Sequence, residues 1–263
     1  MLKKLLKYDF KKIFKFLGVF YLLSIFFGFL TRIFLNIENS FMMNVIGQIC
    51  SGVTIAMIIN ILINNLMRSW VNFKQNIYGD ESYLTHTLPV SKKTIYLSKF
   101  ITAISSLFIS ILVIGLSLFI AYYSKENIAY LKNLLLPIAT SYDSTILKIL
   151  LSFLFVFFLE IATALQAGFT GIIIGHKMNN HKISLSVLYG FITYMLSQVL
   201  ALLLIFIGAL FNKDLMNLFF TNEIINIDII KVIIYMAMII YIINLIIEYI
   251  INLTILKKGV NVD

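Results

Sequence analysis

The sequence predicts an all-α integral membrane protein with six transmembrane helices, an N-terminal amphipathic helix and a short helix between spans 2 and 3. Of its 263 residues, 60% are hydrophobic and only 13% are charged, which is more apolar than a soluble domain requires. The apolar residues form runs of about 20 to 30, long enough to cross a bilayer as helices. Only two prolines occur, Pro89 and Pro137, so we expect the spans to be mostly uninterrupted.

The first 15 residues have the pattern of an amphipathic helix. Their lysines lie opposite an apolar face that contains Leu2, Leu5, Leu6, Phe10, Ile13 and Phe14. This arrangement favours an interfacial helix lying among the lipid headgroups. A plain positively charged anchor for the first span explains the same residues equally well.

Six spans are expected within one transmembrane domain that covers residues 1–263. Their approximate bounds are 16–35, 45–67, 100–123, 146–175, 183–211 and 229–256. The last three are each close to thirty residues, or about 44 Å of helix at 1.5 Å per residue. They exceed a hydrocarbon core of about 30 Å, so we expect them to tilt or to project into water. Three of the links between spans are 36–44, 124–145 and 212–228; the first is short, and the second is predicted to be a polar connection.

The distribution of positive charge predicts the orientation. If the N-terminus is cytoplasmic, 15 of the 21 lysines and arginines fall on the inner side. This bias follows the positive-inside rule and places both termini in the cytoplasm. The net charge of +9 does not indicate nucleic-acid binding, because most lysines flank apolar runs and would meet anionic lipid there.

The least apolar loop runs from Gly79 to Lys99 and contains the start and stop signals of a short helix. Asp80 and Glu81 provide acceptors and negative charge at its start. The spacing of its apolar positions predicts one shared face, formed by Tyr83, Leu84, Thr87 and Leu88. Such a face, held at a membrane surface, is suited to docking another protein.

The second half of this loop contains residues that end the short helix and begin the next one. Pro89 disfavours a helical conformation at Leu88, and Ser91 is placed to cap the next helix. We expect Lys92, Lys93 and Lys99 to mark the level of the lipid headgroups. His86, inside the short helix, is expected to be a contact residue.

Several polar residues fall inside the predicted spans, where burial in lipid is costly. They are Asn60, Asn64 and Arg68 in the second span, Glu160 and Gln166 in the fourth, and Asn244, Glu248 and Asn252 in the last. They could form a polar path for a substrate, or hydrogen bonds that fix helix packing or a subunit interface. The second interpretation is favoured for the asparagines, and the sequence does not decide between them for Glu160 and Glu248.

Small residues recur along the fourth span at intervals of four, as Ala164–Gly168 and as Ala167–Gly171–Gly175. This spacing lets a neighbouring helix approach closely. His176 and His181 flank the following loop, and with no third ligand nearby they are interpreted as solvated histidines, so no metal site is expected.

Sequence motifs of catalysis are absent. The chain has no P-loop, no H-E-x-x-H and no G-x-S-x-G. Its one cysteine, Cys50, excludes an internal disulfide. We therefore expect no catalytic site and no directly bound cofactor.

The segment G-D-E-S-Y-L-T-H-T-L-P-V-S-K-K-T-I-Y-L-S-K at 79–99 resembles the first cytoplasmic loop of bacterial type 2 (ABC-2-like) ABC-transporter permeases. The resemblance is specific over these residues and otherwise rests on the layout of spans and inner loops. It implies a bacterial plasma-membrane permease that pairs with a second copy or a sister permease. A separate P-loop ATPase would bind ATP and Mg²⁺. The implied coupling contact consists of Asp80, Glu81, Tyr83, Leu84, Thr87 and Leu88, with a smaller contact at 177–182.

The substrates of that family range from peptides and antibiotics to lipids and polysaccharides, so export of a peptide, an antibiotic or a lipid-like molecule is implied. Two other classes remain open. An ion-coupled secondary transporter would use Glu160 and Glu248, and a sensor or immunity subunit would keep the scaffold without transporting.

Overall fold

The computed structural model describes residues 1–37, 40–212, 215–217 and 227–259, and every regular element in these ranges is an α-helix. Two of the helices are short, namely α3 (Ser82–Thr87) and α5 (Lys125–Ser141). The long helices are α1 (Leu2–Leu35), α2 (Phe41–Ile77), α4 (Lys92–Tyr122), α6 (Ile146–Gly175), α7 (Lys182–Phe211) and α8 (Ile227–Lys257).

Six helices in the described part of the chain are long and apolar enough to cross a membrane, which confirms the predicted number of spans. In the most apolar 18-residue window of each, only 17–28% of the residues are buried inside the protein. Most of this apolar surface therefore faces outward, where water would be an unfavourable solvent and lipid a favourable one. The chain is a multi-pass membrane protein.

The chain packs as two compact units, Met1–Ala129 and Tyr130–Asp263, each with three of the long helices. The sequence predicts a single domain. The change from one unit to the other falls within α5.

Unit 1 is built on α1, which runs without interruption from Leu2 to Leu35. The amphipathic segment at 1–15 is thus the first part of the helix that also contains the first span, and not a separate helix. Similarly, α2 extends past the predicted span to Ile77, and α4 begins at Lys92, before the predicted span. These extensions bring polar residues of three helices to one end of the unit.

Hydroxyl groups join the three long helices of unit 1. Ser24 Oγ lies 3.0 Å from Ser117 Oγ, and Thr31 Oγ1 lies 3.1 Å from Thr54 Oγ1, with all four residues buried. Interhelical hydrogen bonds of this kind, together with close van der Waals packing, hold helices together in lipid.

The polar link expected between spans 3 and 4 contains a helix, α5. Ser124 caps α5 by accepting the Asn127 backbone N–H at 3.0 Å. Pro137 lies inside the helix, where it removes one backbone hydrogen bond. The hydroxyl of Ser141 donates to the Pro137 carbonyl at 3.0 Å and satisfies one acceptor of the last turn.

In unit 2, α6 packs against both α7 and α8. A Cβ added at Gly171 would collide with the backbone of Gly190 and Ser186, and one added at Gly175 would collide with Ser186. The small residues of α6 therefore permit direct backbone contact with α7, and the packing role predicted for Gly171 and Gly175 is confirmed.

Parts of two predicted connections and of the C-terminal tail lie outside the described residues. They are Glu38 and Asn39 of the first link, most of the 212–228 link, and the residues after Gly259.

Candidate functional site

The short helix α3 stands between α2 and α4, as predicted. After α2 ends at Ile77, the chain turns so that the Ser82 backbone N–H donates to the Gly79 carbonyl at 2.8 Å. Leu88 is extended (φ −65°, ψ 138°), and Ser91 accepts the Thr94 backbone N–H at 3.3 Å. The effects expected of Pro89 and Ser91 are both confirmed.

The outer side of α3 is apolar and exposed. The side chains of Tyr83, Leu84 and Leu88 are 76%, 68% and 43% exposed. Thr87 is exposed beside them, and its hydroxyl donates to the Leu84 carbonyl at 3.0 Å. We call these four residues the docking face. It lies outside the six helices that are long and apolar enough to cross a membrane.

The inner side of α3 is fixed to unit 1. Ser82 and Thr85 are buried, and the His86 ring bonds to the Ile77 carbonyl at 3.0 Å. His86 is thus a contact within the protein. Asp80 is exposed in the turn. Close to it in sequence, burial raises the pKa of the Tyr78 phenol above its usual value.

Glu81 connects α3 to two long helices. Its carboxylate accepts from the Lys12 ammonium at 2.6 Å and from the Asn76 amide at 2.7 Å. The Lys12 and Glu81 side chains are 18% and 36% exposed, so this ion pair is partly screened by solvent. Of the six residues expected to form the coupling contact, Glu81 is therefore the one already engaged with the rest of the chain.

A buried ion pair lies beneath this attachment. The Lys99 ammonium donates to Asp9 at 2.5 Å and to the Asn76 side-chain oxygen at 2.6 Å. Asp9 is fully buried and Lys99 is 5% exposed. The Lys99 ammonium therefore turns inward to a carboxylate and does not face the lipid headgroups as expected.

Other polar groups complete the environment of Asp9. The Ser98 hydroxyl donates to it at 2.9 Å, and the Asn72 amide lies 3.5 Å away. Lys12, Glu81, Asn76, Lys99 and Asp9 thus form a continuous chain of contacts, which we call the anchoring network. It joins α1, α2 and α4 to the start of α3.

The sequence contains two signals for this network. Asp9 is the only acidic residue before position 38, in a segment rich in lysine. On α2, polar residues at helical spacing form one buried stripe, which consists of Asn65, Ser69, Asn72 and Asn76.

The repeat predicted nearby has a different role. The Asn60 and Asn64 amides donate to carbonyls of their own helix at 2.9 and 2.8 Å. The Arg68 guanidinium lies over the Phe16 ring at 5.2 Å from its centre, which links α2 to α1.

In unit 2, Glu160 of α6 is the centre of a polar cluster. Its carboxylate accepts from the Tyr194 hydroxyl at 2.5 Å and from the Gln198 amide at 3.0 Å, both on α7. The Tyr241 phenol of α8 interacts with the same carboxylate. Glu160 therefore links α6 to α7 by hydrogen bonds and also interacts with α8.

The polar stripe on α8 faces the inside of unit 2, because Asn244, Glu248 and Asn252 are all buried. The Asn244 amide donates to the Ser197 carbonyl of α7 at 3.4 Å, which confirms an interhelical bond for this residue. Gln166 is likewise buried on α6. Neither carboxyl oxygen of Glu248 has a hydrogen-bond partner among the described residues.

The two loop histidines differ in their environments. His176 is fully buried, and its Nδ1 lies 2.8 Å from the Ile172 carbonyl and 3.3 Å from the Ser186 hydroxyl. The expectation of a solvated side chain is wrong for His176 and correct for His181, which is exposed. Within the described ranges, no three His, Cys, Asp or Glu side chains gather in a way that could hold a metal.

Comparison of the chain with protein-family models, with curated proteins and with solved structures gave no match.

Proposed function

We propose that this chain is the membrane-spanning permease subunit of an ATP-driven ABC exporter of the type 2 class. In this proposal a separate P-loop ATPase binds ATP and Mg²⁺ and docks on the cytoplasmic side at α3. The docking face, together with Asp80 and Glu81, forms the coupling contact.

The observation that carries the proposal is the exposed docking face. Tyr83 and Leu84 have large, exposed apolar side chains, although the inner side of the same short helix is buried. Exposed aromatic and aliphatic side chains on a short, well-fixed helix are suited to a groove on a partner protein. The resemblance of residues 79–99 to a permease coupling loop supports an ATPase as that partner.

The anchoring network gives this contact a mechanical role. An exporter has to convert nucleotide-driven motion of the ATPase into motion of membrane helices. Because Glu81 bonds to both Lys12 and Asn76, a displacement of α3 would be transmitted to α1 and α2 as a rigid unit. The buried Lys99–Asp9 pair extends the connection to α4.

The chain would span a bacterial plasma membrane with both termini in the cytoplasm, as its lysine distribution indicates. A second permease chain, either a copy or a sister subunit, would complete the transport path. A peptide, an antibiotic or a lipid-like molecule that enters from the bilayer fits the apolar surfaces of the spans.

Co-purification in mild detergent tests the contact with the ATPase. The native protein should elute with a P-loop ATPase, and the Leu84→Asp/Leu88→Asp variant should not. Charging two exposed positions removes the apolar contact without opening a cavity. The matched control is Leu131→Asp/Leu134→Asp, which makes the same change at two exposed positions of α5.

Gel filtration is the control for folding: all three proteins should give the same symmetric peak. Loss of the ATPase from the α3 variant alone supports the proposal. Absence of an ATPase from the intact native protein, or equal retention by both variants, would refute it.

A second candidate is ion-coupled secondary transport, which the carboxyl of Glu248 favours because it is buried without a described partner. Substrate flux in proteoliposomes separates the two classes. If Glu160→Gln and Glu248→Gln abolish flux driven by a proton gradient, the protein is a secondary transporter. If flux requires the ATPase and survives both substitutions, it is an exporter of the proposed class.

A further inference from the structure

Unit 2 contains an open cavity of about 410 Å³ at the N-terminal ends of α6 and α8. This volume falls within the range of about 300–1,000 Å³ that is typical of ligand sites. Its polar wall includes Tyr142, Ser144, Lys148 and Lys231. The apolar parts of both helices begin directly after the two lysines, so the cavity lies where a span meets the headgroup layer.

The described lining of the cavity contains two lysines and no acidic residue. Lys148 and Lys231 are both exposed, and neither has a carboxylate within 4.0 Å among the side chains that the structure describes. Since α6 begins at Ile146, the positive end of its dipole adds to the same field. Asp143, the acidic residue nearest to Lys148 in the sequence, does not line the cavity.

Tyr142 holds one wall in place. Its phenol oxygen accepts the Lys231 backbone N–H at 2.6 Å, and the Lys231 ammonium lies 5.5 Å from the centre of the Tyr142 ring. These two contacts connect the segment before α6 to α8. The elements that carry the two lysines are therefore connected to each other.

The rest of the lining is apolar and exposed. Leu151 and Tyr235 are 54% and 55% exposed, one turn further along their helices than the lysines. A ligand that satisfies the whole lining must carry a negative charge at one end and hydrocarbon at the other. A free anion would leave the apolar part unused.

We propose that this cavity binds the phosphate headgroup of an anionic phospholipid, with Lys148 and Lys231 contacting the phosphate and an acyl chain lying along Leu151 and Tyr235. The site does not depend on the ATPase or on the exported substrate, so it can fail while the permease proposal stands.

Lipid binding by the full-length protein in a neutral maltoside detergent tests the site. Native mass spectrometry would compare phosphatidylglycerol with phosphatidylcholine of the same acyl chains. Two lysines near a headgroup predict a preference of about thirtyfold for phosphatidylglycerol, or about fivefold for each lysine. The Lys148→Gln/Lys231→Gln variant should lose this preference.

The matched control is Lys125→Gln/Lys132→Gln, which removes two lysines of α5 that do not line the cavity. Retention of the preference by this control supports a defined site. Equal loss in both variants would show general attraction of anionic lipid to positive charge and would overturn the proposal. Displacement of the lipid by inorganic phosphate at equal concentration would identify a free-anion site instead and would also overturn it.

A second measurement leaves both lysines in place. A Trp70→Phe/Tyr235→Trp variant has a single tryptophan at the cavity, because the natural chain contains only one. Phosphatidylglycerol with brominated acyl chains should quench its fluorescence at a concentration at least tenfold lower than brominated phosphatidylcholine. Equal quenching by the two lipids would refute the site even if the double lysine variant does not fold.

Discussion

Replacing Lys99 with methionine would leave the Asp9 carboxylate buried without its cation. Asp9 is fully buried, and its remaining donors are the Ser98 hydroxyl at 2.9 Å and the Asn72 amide at 3.5 Å. Breaking a buried pair from one side costs about 3–5 kcal/mol, because an uncompensated charge remains in a medium of low polarity. At about 2–4 °C per kcal/mol, the midpoint of thermal unfolding should fall by at least 6 °C.

Two comparison variants make this prediction specific to the buried charge. Lys12→Met breaks the partly exposed pair with Glu81, and such pairs contribute only about 0–1 kcal/mol. Asp9→Asn/Lys99→Met removes both buried charges and keeps an acceptor for Ser98, so it should be more stable than Lys99→Met alone.

Thermal unfolding of each purified variant in the same detergent would be followed by tryptophan fluorescence. Equal shifts for Lys99→Met and Lys12→Met would refute the argument from burial. A double variant no more stable than Lys99→Met would show that the unpaired Asp9 charge is not the source of the loss.

Two further stability predictions concern other parts of the chain. Gly171→Ala should lower the free energy of unfolding by about 1–3 kcal/mol because the added methyl group meets the backbone of α7. The control Gly52→Ala, with open space around it, should be neutral or stabilising. Equal midpoints of thermal unfolding for the two variants would contradict close α6–α7 packing. Glu248→Leu should raise stability by about 1 kcal/mol or more, since it removes a buried carboxyl without a described partner; a lower midpoint would show that Glu248 makes a favourable contact in the folded protein.

The local features of the chain could be predicted from sequence because neighbouring residues decide them. Six apolar runs of sufficient length predict six spans, and the six long helices agree. Pro89 determines the extended backbone at Leu88, and Ser91 caps α4, as expected. The spacing of Tyr83, Leu84 and Leu88 predicts a common face because a helix repeats every 3.6 residues. Gly171 and Gly175 predict close helix packing for the same reason.

Long-range pairing was not predictable in the same way. Lys99 resembles any lysine at the end of a span, yet its partner Asp9 lies 90 positions earlier in the chain. Only the packing of α1 against α4 shows that the charges of Asp9 and Lys99 are buried as a pair. Similarly, Glu160 finds its donors on α7, 34 and 38 residues later. His176 looks like a loop residue, but the approach of Ser186 buries it.

The sequence by itself determined the helical class, the number of spans and the place of the short helix α3, because hydropathy, helical periodicity and capping act over a few residues. Only the tertiary structure decided which polar groups are paired. It turned Lys99 inward to Asp9, engaged Glu81 with Lys12 and Asn76, and left Glu248 without a described partner. The physical reason is that burial and ion pairing depend on which helices pack against each other. A pattern over a few residues does not specify which distant helix will be the neighbour.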